Sequence, residues 1–216
     1  NVHHIDIKDV DNKKRDKFCV LVARNKRAYG TTELYSKRRE IIRFFEKNYC
    51  DDLDLYGEGW DKYYFPSNIP ILKLFNGRKL SWIRALFREK YKSWKGPIDD
   101  KINLMSQYKF SIVFENSIGP TGYITEKIWD AFVSGCVPIY LGAPNVNKFI
   151  PEKCFIDYRK FDSNHSLYDY LKSISESDYK LYQKNIKSFL IKESKGGEFS
   201  EMYFVNKFIY QVKKLV

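Results

Sequence analysis

The sequence contains no run of about eighteen uncharged apolar residues, the length a helix needs to cross a bilayer, and no apolar stretch behind a basic N-terminus that would read as a secretory leader. It begins at Asn1 and not at a methionine, so these absences describe the 216 residues themselves and nothing upstream of them. Histidine occurs three times, and the four cysteines, Cys19, Cys50, Cys136 and Cys154, stand far apart without a CxxC pair. That spacing speaks against a structural zinc site and against a disulfide framework. Three of the cysteines lie in or beside apolar strand-like runs, so buried free thiols are expected. There is no internal repeat and no low-complexity tract.

What is present suits a globule of one large domain or one and a half average ones, with 44% apolar residues to build a core. Lys plus Arg number 38 against 27 Asp plus Glu, a net charge of +11, which favours anionic partners such as nucleotides, nucleic acid, acidic lipid or acidic glycans. Single lysines scattered along the chain fit a solvated basic surface equally well.

Residues 1–17 are polar and charged and read as a linker or the remnant of a preceding domain, with the fold starting at Phe18. Residues 18–23 form an apolar run of strand length. A helix over 36–48 follows, with Ile41, Ile42, Phe45 and Tyr49 at helical spacing behind a possible Ser36 cap, and then a strand over 52–56 closed by Gly57. This is a βαβ opening, the unit of a parallel sheet. Residues 58–97 mix Trp60, Tyr63, Tyr64, Phe65, Trp82, Phe87, Tyr91 and Trp94 with glycines and prolines, and predict a long excursion carrying one basic amphipathic helix over 81–91. Beyond it the pattern predicts a helix over 99–107, a buried strand over 110–114, a Gly- and Pro-rich loop over 115–123, a helix over 125–134 and a strand over 137–141. A short helix near Val146, a strand over 154–157 and helices over 166–175, 177–190 and 201–214 complete the chain. Strands alternating with helices predict a Rossmann-like α/β fold, a parallel sheet with helices on both faces.

In such a sheet, ligands bind beyond the C-terminal strand ends, at loops that lead into helix N-termini. The loop after Phe114 leads into Thr125-Glu126-Lys127, where Thr125 can cap the next helix and Glu126 suits the positive end of its dipole. Lys127 is misplaced there, at about 0.3 to 1 kcal/mol, unless an anion shares the site. A phosphate on the free N–H groups would meet dipole and ammonium together; alternatively Lys127 simply snorkels to water.

The segments Tyr108-Lys109-Phe110-Ser111-Ile112-Val113-Phe114-Glu115-Asn116, Gly122-Tyr123-Ile124-Thr125-Glu126-Lys127-Ile128 and Val137-Pro138-Ile139-Tyr140-Leu141-Gly142 closely resemble the signature of the α-1,3-fucosyltransferase family, glycosyltransferase family 10. Weaker likeness reaches from Phe18 to about residue 160, through Asp54-Leu55-Tyr56-Gly57, Tyr91, Lys95-Gly96-Pro97, Phe149-Ile150-Pro151 and Phe155-Ile156-Asp157. The resemblance implies the C-terminal half of a two-domain GT-B enzyme, a GDP-fucose-binding domain over 18–216 that lacks its N-terminal acceptor domain. It implies transfer of L-fucose to a glycan hydroxyl, of α-1,3 type, with inversion and without metal or cofactor. The general base would be a carboxylate in the absent domain.

By the same resemblance Lys127 is a cation on the donor pyrophosphate, Glu126 a partner for ribose hydroxyls, and Asn116 and Tyr123 line the nucleotide pocket. A second phosphate cation is expected on the first helix. Arg38 fits, with Ile41, Ile42 and Phe45 at +3, +4 and +7, and Arg39 is the alternative. An arginine fork would give bidentate contact to phosphate; an exposed helix arginine is the plainer reading. Arg38 and Lys127 would then stabilise the charge of departing GDP.

Arg24-Asn25 stands where relatives carry Ser-Asn, which leaves Asn25 a nominee on weaker grounds, and the loop to Arg38 is longer than in compact relatives. Asp52-Leu53-Asp54 has the form of a metal-binding DxD but lies in a strand. The resemblance implies no nucleic-acid partner, membrane attachment only through segments outside this chain, and the lumenal side of the Golgi membrane in a eukaryote or a cytoplasmic or peripheral-membrane place in a bacterium or virus. Two other readings remain open at this point: a non-catalytic nucleotide- or polyanion-binding module, and a GT-B transferase using another sugar nucleotide.

Overall fold

The structure, a computed structural model, describes residues 15–28, 30–61, 63, 65, 70–75, 91–197, 199 and 203. The strands are β1 (Lys17–Val22), β2 (Leu53–Tyr56), β3 (Tyr108–Phe114), β4 (Val137–Leu141) and β5 (Ile156–Asp157). They form one sheet in the order β2-β1-β3-β4-β5, and every pairing is parallel. The helices are α1 (Tyr35–Asn48), α2 (Pro70–Leu74), α3 (Lys101–Met105), α4 (Glu126–Ser134), α5 (Asn164–Ser173) and α6 (Glu176–Ser194). The Rossmann-like expectation therefore holds. The sheet runs outward in both directions from the β1/β3 pair, so the crevice beyond the C-terminal ends of those two strands is where such a fold holds its ligand.

The central strands form where the sequence is richest in apolar residues, with Lys109 and Ser111 the only polar residues of β3. Cys19, Val20 and Leu21 of β1 are buried, as are all residues of β3 except Lys109 and all of β4. Such strands are covered on both faces, which is why their pattern is continuous and not alternating. Pro138, which cannot donate to a ladder, is accommodated in β4 because β5 is two residues long and pairs only from Ile139 onward.

Several boundaries differ from the sequence reading for identifiable reasons. The fold starts before Phe18: Lys17 belongs to β1, and buried Arg15 donates to the carbonyls of Ser106, Tyr108 and Ser134, tying the start of the chain to the ends of α3 and α4. Ser36 is not the cap of α1. Leu34 holds that position, and the Ser36 N–H is taken by the Glu33 carboxylate at 3.0 Å. The strand expected over 154–157 shrinks to Ile156–Asp157 because Cys154 ends a 3-10 turn, Glu152–Cys154. Ser163 and Ser175 cap α5 and α6, so both helices begin earlier than expected. Apart from Tyr91 and Tyr203, the helices read over 81–91, with Trp82 and Phe87, and over 201–214 lie outside the described residues.

Part of the segment 58–97 packs on the open edge of β2. The segment around Ser93–Gly96 adds hydrogen bonds to Leu55 and Gly57, Trp60 donates through Nε1 to the Ala23 carbonyl at 2.7 Å, and Trp94 donates to the Gly57 carbonyl at 2.9 Å. Two indoles thus fix the backbone at the C-terminal ends of β1 and β2, which becomes one wall of the site below.

All four cysteines are free thiols, with Cys50 exposed and the other three buried. Burial pushes Cys136 up to about 11, Cys154 up to about 12 and Cys19 well above the ordinary thiol value. Because the thiolate is the reactive form, iodoacetamide at pH 8 should modify Cys50 first and the other three only after unfolding. Intact-mass spectrometry checks this, and rapid multiple alkylation of native protein would contradict the burial pattern.

Candidate functional site at the switch point

A cleft of about 510 Å³ opens beyond the C-terminal ends of β1 and β2, between the start of α1 and the start of α4. Its lining includes the cations Arg24, Lys26, Arg38, Lys101 and Lys127 and the carboxylates Glu58, Asp99 and Glu126. Cations exceed acids, which suits an anionic ligand. A second hollow of about 350 Å³ lies at the opposite, N-terminal ends of the strands, beside Lys17, Lys109 and Lys172. Ion pairing does not distinguish the two, since Lys17, Lys109 and Lys172 pair with Asp54, Glu176 and Asp52, and Arg24, Lys101 and Lys127 of the first cleft pair with Glu58, Asp130 and Glu115; position does, because ligands of such a sheet bind beyond the C-terminal strand ends.

The position of Arg38 follows from the helical stripe. Residues 38, 41, 42 and 45 share one face of α1, and three of them are core residues, so the arginine at the head of the stripe is driven inward with them. It is 4% exposed, which removes the exposed-arginine reading. Buried there, it needs acceptors. Nε and Nη2 donate to the Phe114 carbonyl at 3.2 and 2.6 Å, and Nη2 also reaches the Glu115 carbonyl at 2.8 Å and Asn116 Oδ1 at 3.0 Å. The Nε/Nη2 edge of the fork is therefore occupied by the end of β3, which corrects the expectation of an arginine free to grip phosphate bidentately by that edge. Nη1 has no acceptor among the described residues. Desolvation pulls the guanidinium below its ordinary pKa, with Tyr35, Glu115, Tyr123 and Glu33 opposing, and an arginine stays charged throughout. Arg39, the alternative, bonds to Lys26 O and Ser36 Oγ and does not line the cleft.

Asn116 links the two sides of the loop, accepting from Arg38 and donating to Tyr123 Oη at 3.4 Å. Glu126 starts α4 with its side chain 72% exposed. Partial burial works against its charged form, but the hydrogen bond from its own backbone N–H and the nearby ammoniums of Lys127 and Lys101 outweigh that and hold its carboxyl below the usual value. Asn25 does not join the cluster: it is 2% exposed, its Nδ2 donates to the Gly59 carbonyl at 3.0 Å, and it is absent from the cleft lining.

Lys127 lines the cleft, but the reason it is tolerated at a helix start is not a missing anion. The anion is Glu115. This side chain is fully buried and its Oε2 lies 3.1 Å from Lys127 Nζ. Thr125, instead of capping α4 with its hydroxyl, donates that hydroxyl to Glu115 Oε2 at 2.7 Å and its N–H to Oε1 at 2.8 Å, and accepts from Lys127 at 2.8 Å. The sequence reading gave Glu115 no role. The signal for it was the misplaced lysine itself, which called for a countercharge nearby.

The DxD pair is also committed to protein partners. Asp52 accepts from Tyr168 and Lys172, and Asp54 from Tyr108 Oη at 2.7 Å, with Lys17 and Lys95 nearby. Among the described residues, no group of three or more His, Cys, Asp or Glu is placed to hold a metal ion.

Comparison with known families gives a match of residues 84–202, more than half the chain, to glycosyltransferase family 10 (fucosyltransferase), C-terminal part. The chain belongs to this family. Asn116, Tyr123, Glu126 and Lys127 lie inside the matched stretch and Arg38 outside it. Similar curated proteins include the alpha-(1,3)-fucosyltransferase FucT of Helicobacter pylori, 43% identical over 75 residues that make up 35% of this chain and 16% of that protein. The 3-galactosyl-N-acetylglucosaminide 4-alpha-L-fucosyltransferase FUT3 of Bos taurus is 44% identical over 81 residues, 36% of this chain and 22% of that one. The matched stretch is thus less than a quarter of either relative. A solved alpha1,3-fucosyltransferase with GDP-fucose superposes with a TM-score of 0.50 at 22% identity, covering 82% of this chain and 46% of that one. Anabaena Alr3699/HepE in complex with UDP-glucose gives 0.50 at 12% identity, covering 93% and 50%. These two likenesses are of fold: this family 10 chain has the architecture of one half of a GT-B glycosyltransferase.

Proposed function

We propose that this chain is the donor-binding part of a fucosyltransferase and that the switch-point cleft holds GDP-fucose. The observation that carries the proposal is the pairing of two cations from different elements, Arg38 of α1 and Lys127 of α4, at one cleft whose α4 side lies in the family-matched stretch. In this reading the Lys127 ammonium and Nη1 of Arg38 meet the diphosphate, and Glu126, exposed at the rim, takes the ribose hydroxyls. Asn116 lines the wall between; Tyr123 is absent from the cleft lining and acts only through Asn116, whose Nδ2 donates to its hydroxyl. As the bond from the fucose anomeric carbon to the phosphate oxygen breaks, negative charge gathers on GDP, and fixed cations favour that state over bound substrate. No residue of this chain is assigned to remove the acceptor proton, which we place in a domain outside it. The acceptor is a glycan hydroxyl, the linkage is of α-1,3 type with inversion, and no metal is required.

Calorimetric titration with GDP, UDP and ADP, with and without EDTA, tests this. GDP should bind about tenfold or more tighter than the other two, and EDTA should change nothing. Equal binding of all three nucleotides, with affinity falling steeply in salt, is the behaviour of a polyanion binder and would overturn the proposal.

A further inference from the structure

Glu115 is a buried carboxylate that the proposed function leaves unused. A buried carboxylate is tolerated when its lone pairs are matched, and this one is matched by the Thr125 N–H, the Thr125 hydroxyl and the Lys127 ammonium. The main-chain carbonyl of the same residue accepts from Arg38 Nη2 at 2.8 Å. One residue therefore touches both cations assigned to the diphosphate, Lys127 through its side chain and Arg38 through its backbone.

Its seat is tightly defined. The Glu115 N–H donates to the Leu141 carbonyl at 2.8 Å, which carries the β3–β4 ladder one residue past the strand end. Gly142 leaves the space for the side chain: a Cβ there would stand 2.5 Å from Glu115 Cγ and 2.4 Å from Tyr140 Oη. The carboxylate is thus fixed relative to the sheet, and whatever it holds is fixed with it. Lysine's ammonium sits on a flexible four-carbon stem with many rotamers. Two of its three N–H groups are spent on Glu115 and Thr125, and the ammonium also pairs with Glu126 Oε1 at 3.6 Å, the exposed partner that a ligand oxygen would replace.

We propose that Glu115 is the positioning residue of the diphosphate site, setting Lys127 by its carboxylate and Arg38 by its carbonyl before the donor arrives. The role rests on the donor-site reading above and deepens it. A cation already in place loses little freedom on binding and needs no reorganisation as the leaving group departs. The opposing expectation is electrostatic: a carboxylate beside the ammonium offsets its charge, so removing it would strengthen the hold on phosphate.

A double-mutant cycle separates the two. GDP affinity is measured by titration for the unmodified chain, Glu115→Gln, Lys127→Met and the double variant. Positioning predicts that Glu115→Gln weakens GDP binding about tenfold when Lys127 is present and less than about twofold when it is methionine. A merely structural role would weaken binding equally in both backgrounds, and that result, or tighter binding by Glu115→Gln, overturns the proposal. Should Glu115→Gln not fold, Thr125→Val carries the same cycle, because its hydroxyl bridges the pair without being charged. An unmodified chain that does not bind GDP overturns the donor-site reading and this role with it. GDP binding without coupling between 115 and 127 overturns the positioning role alone.

Discussion

Lys127→Met is expected to lower stability by about 3 kcal/mol and to weaken GDP binding by about 10- to 100-fold. The helix dipole alone predicts the opposite sign for stability, since removing a cation from the positive end of α4 should relieve about 0.3 to 1 kcal/mol of repulsion. The Glu115 carboxylate reverses that sign. Its side chain is fully buried while Lys127 is 20% exposed, so the substitution leaves a charged oxygen in the interior with only Thr125 to answer it. Breaking a buried pair from one side costs about 3 to 5 kcal/mol, and the ammonium's partial access to water places this case at the lower end. The double variant Lys127→Met with Glu115→Gln has no unpaired charge and should recover most of the lost stability, but not the affinity for GDP. Urea denaturation of the three proteins reads the first effect and titration the second. A Lys127→Met protein as stable as the unmodified chain would mean that the pair contributes nothing and that the dipole account stands.

That reversal marks where the sequence stops being legible. β3 and β4 could be read because a strand covered on both faces is largely apolar, a condition visible in residues 110–114, where Ser111 is the one polar residue, and in residues 137–141; that β3 begins two residues earlier, at Tyr108 and across Lys109, was not readable this way. Arg38 was a candidate by resemblance, with its spacing to Ile41, Ile42 and Phe45, but an exposed arginine stayed open until the structure placed it on the buried face of α1. What it would find there could not be read, because its acceptors are the carbonyls at the end of β3, 76 and 77 residues away in sequence. Lys127 shows the same division. Its conflict with the dipole was readable, while the resolution depends on the loop over 116–124 folding Thr125 back onto Glu115, ten positions away in sequence. Asn25 was nominated from its position after β1 and is instead turned into the interior by the Gly59 carbonyl, a contact belonging to the irregular excursion whose path no periodicity describes. Regular elements follow from repeating patterns, and the chemistry here is built from their ends.

The wall of the cleft where β1 and β2 end should be the least tolerant part of the backbone, and Gly57→Ala is expected to lower stability by about 3 to 5 kcal/mol. Gly57 has a φ of +124°, which side-chain-bearing residues rarely adopt, and a Cβ there would stand 2.1 Å from the Ala23 carbonyl oxygen and 2.7 Å from its carbon. Those atoms are backbone and cannot rotate away. The Ala23 carbonyl also accepts from Trp60, and the Gly57 N–H and carbonyl are bonded to Gly96 and Trp94, so relief by movement would break the contacts that hold the wall. Strain and crowding can be separated with Gly96→Ala, where φ is +112° but a Cβ would meet nothing within 4 Å. That variant should carry the strain alone, about 1 kcal/mol or somewhat more. At about 2 to 4 °C per kcal/mol for a chain of this size, thermal melts should place Gly57→Ala roughly 6 to 20 °C below the unmodified protein and Gly96→Ala only a few degrees below it. If the two variants melt together, the close approach of β1 and β2 at this point is wrong, and the cleft would lose one of its walls.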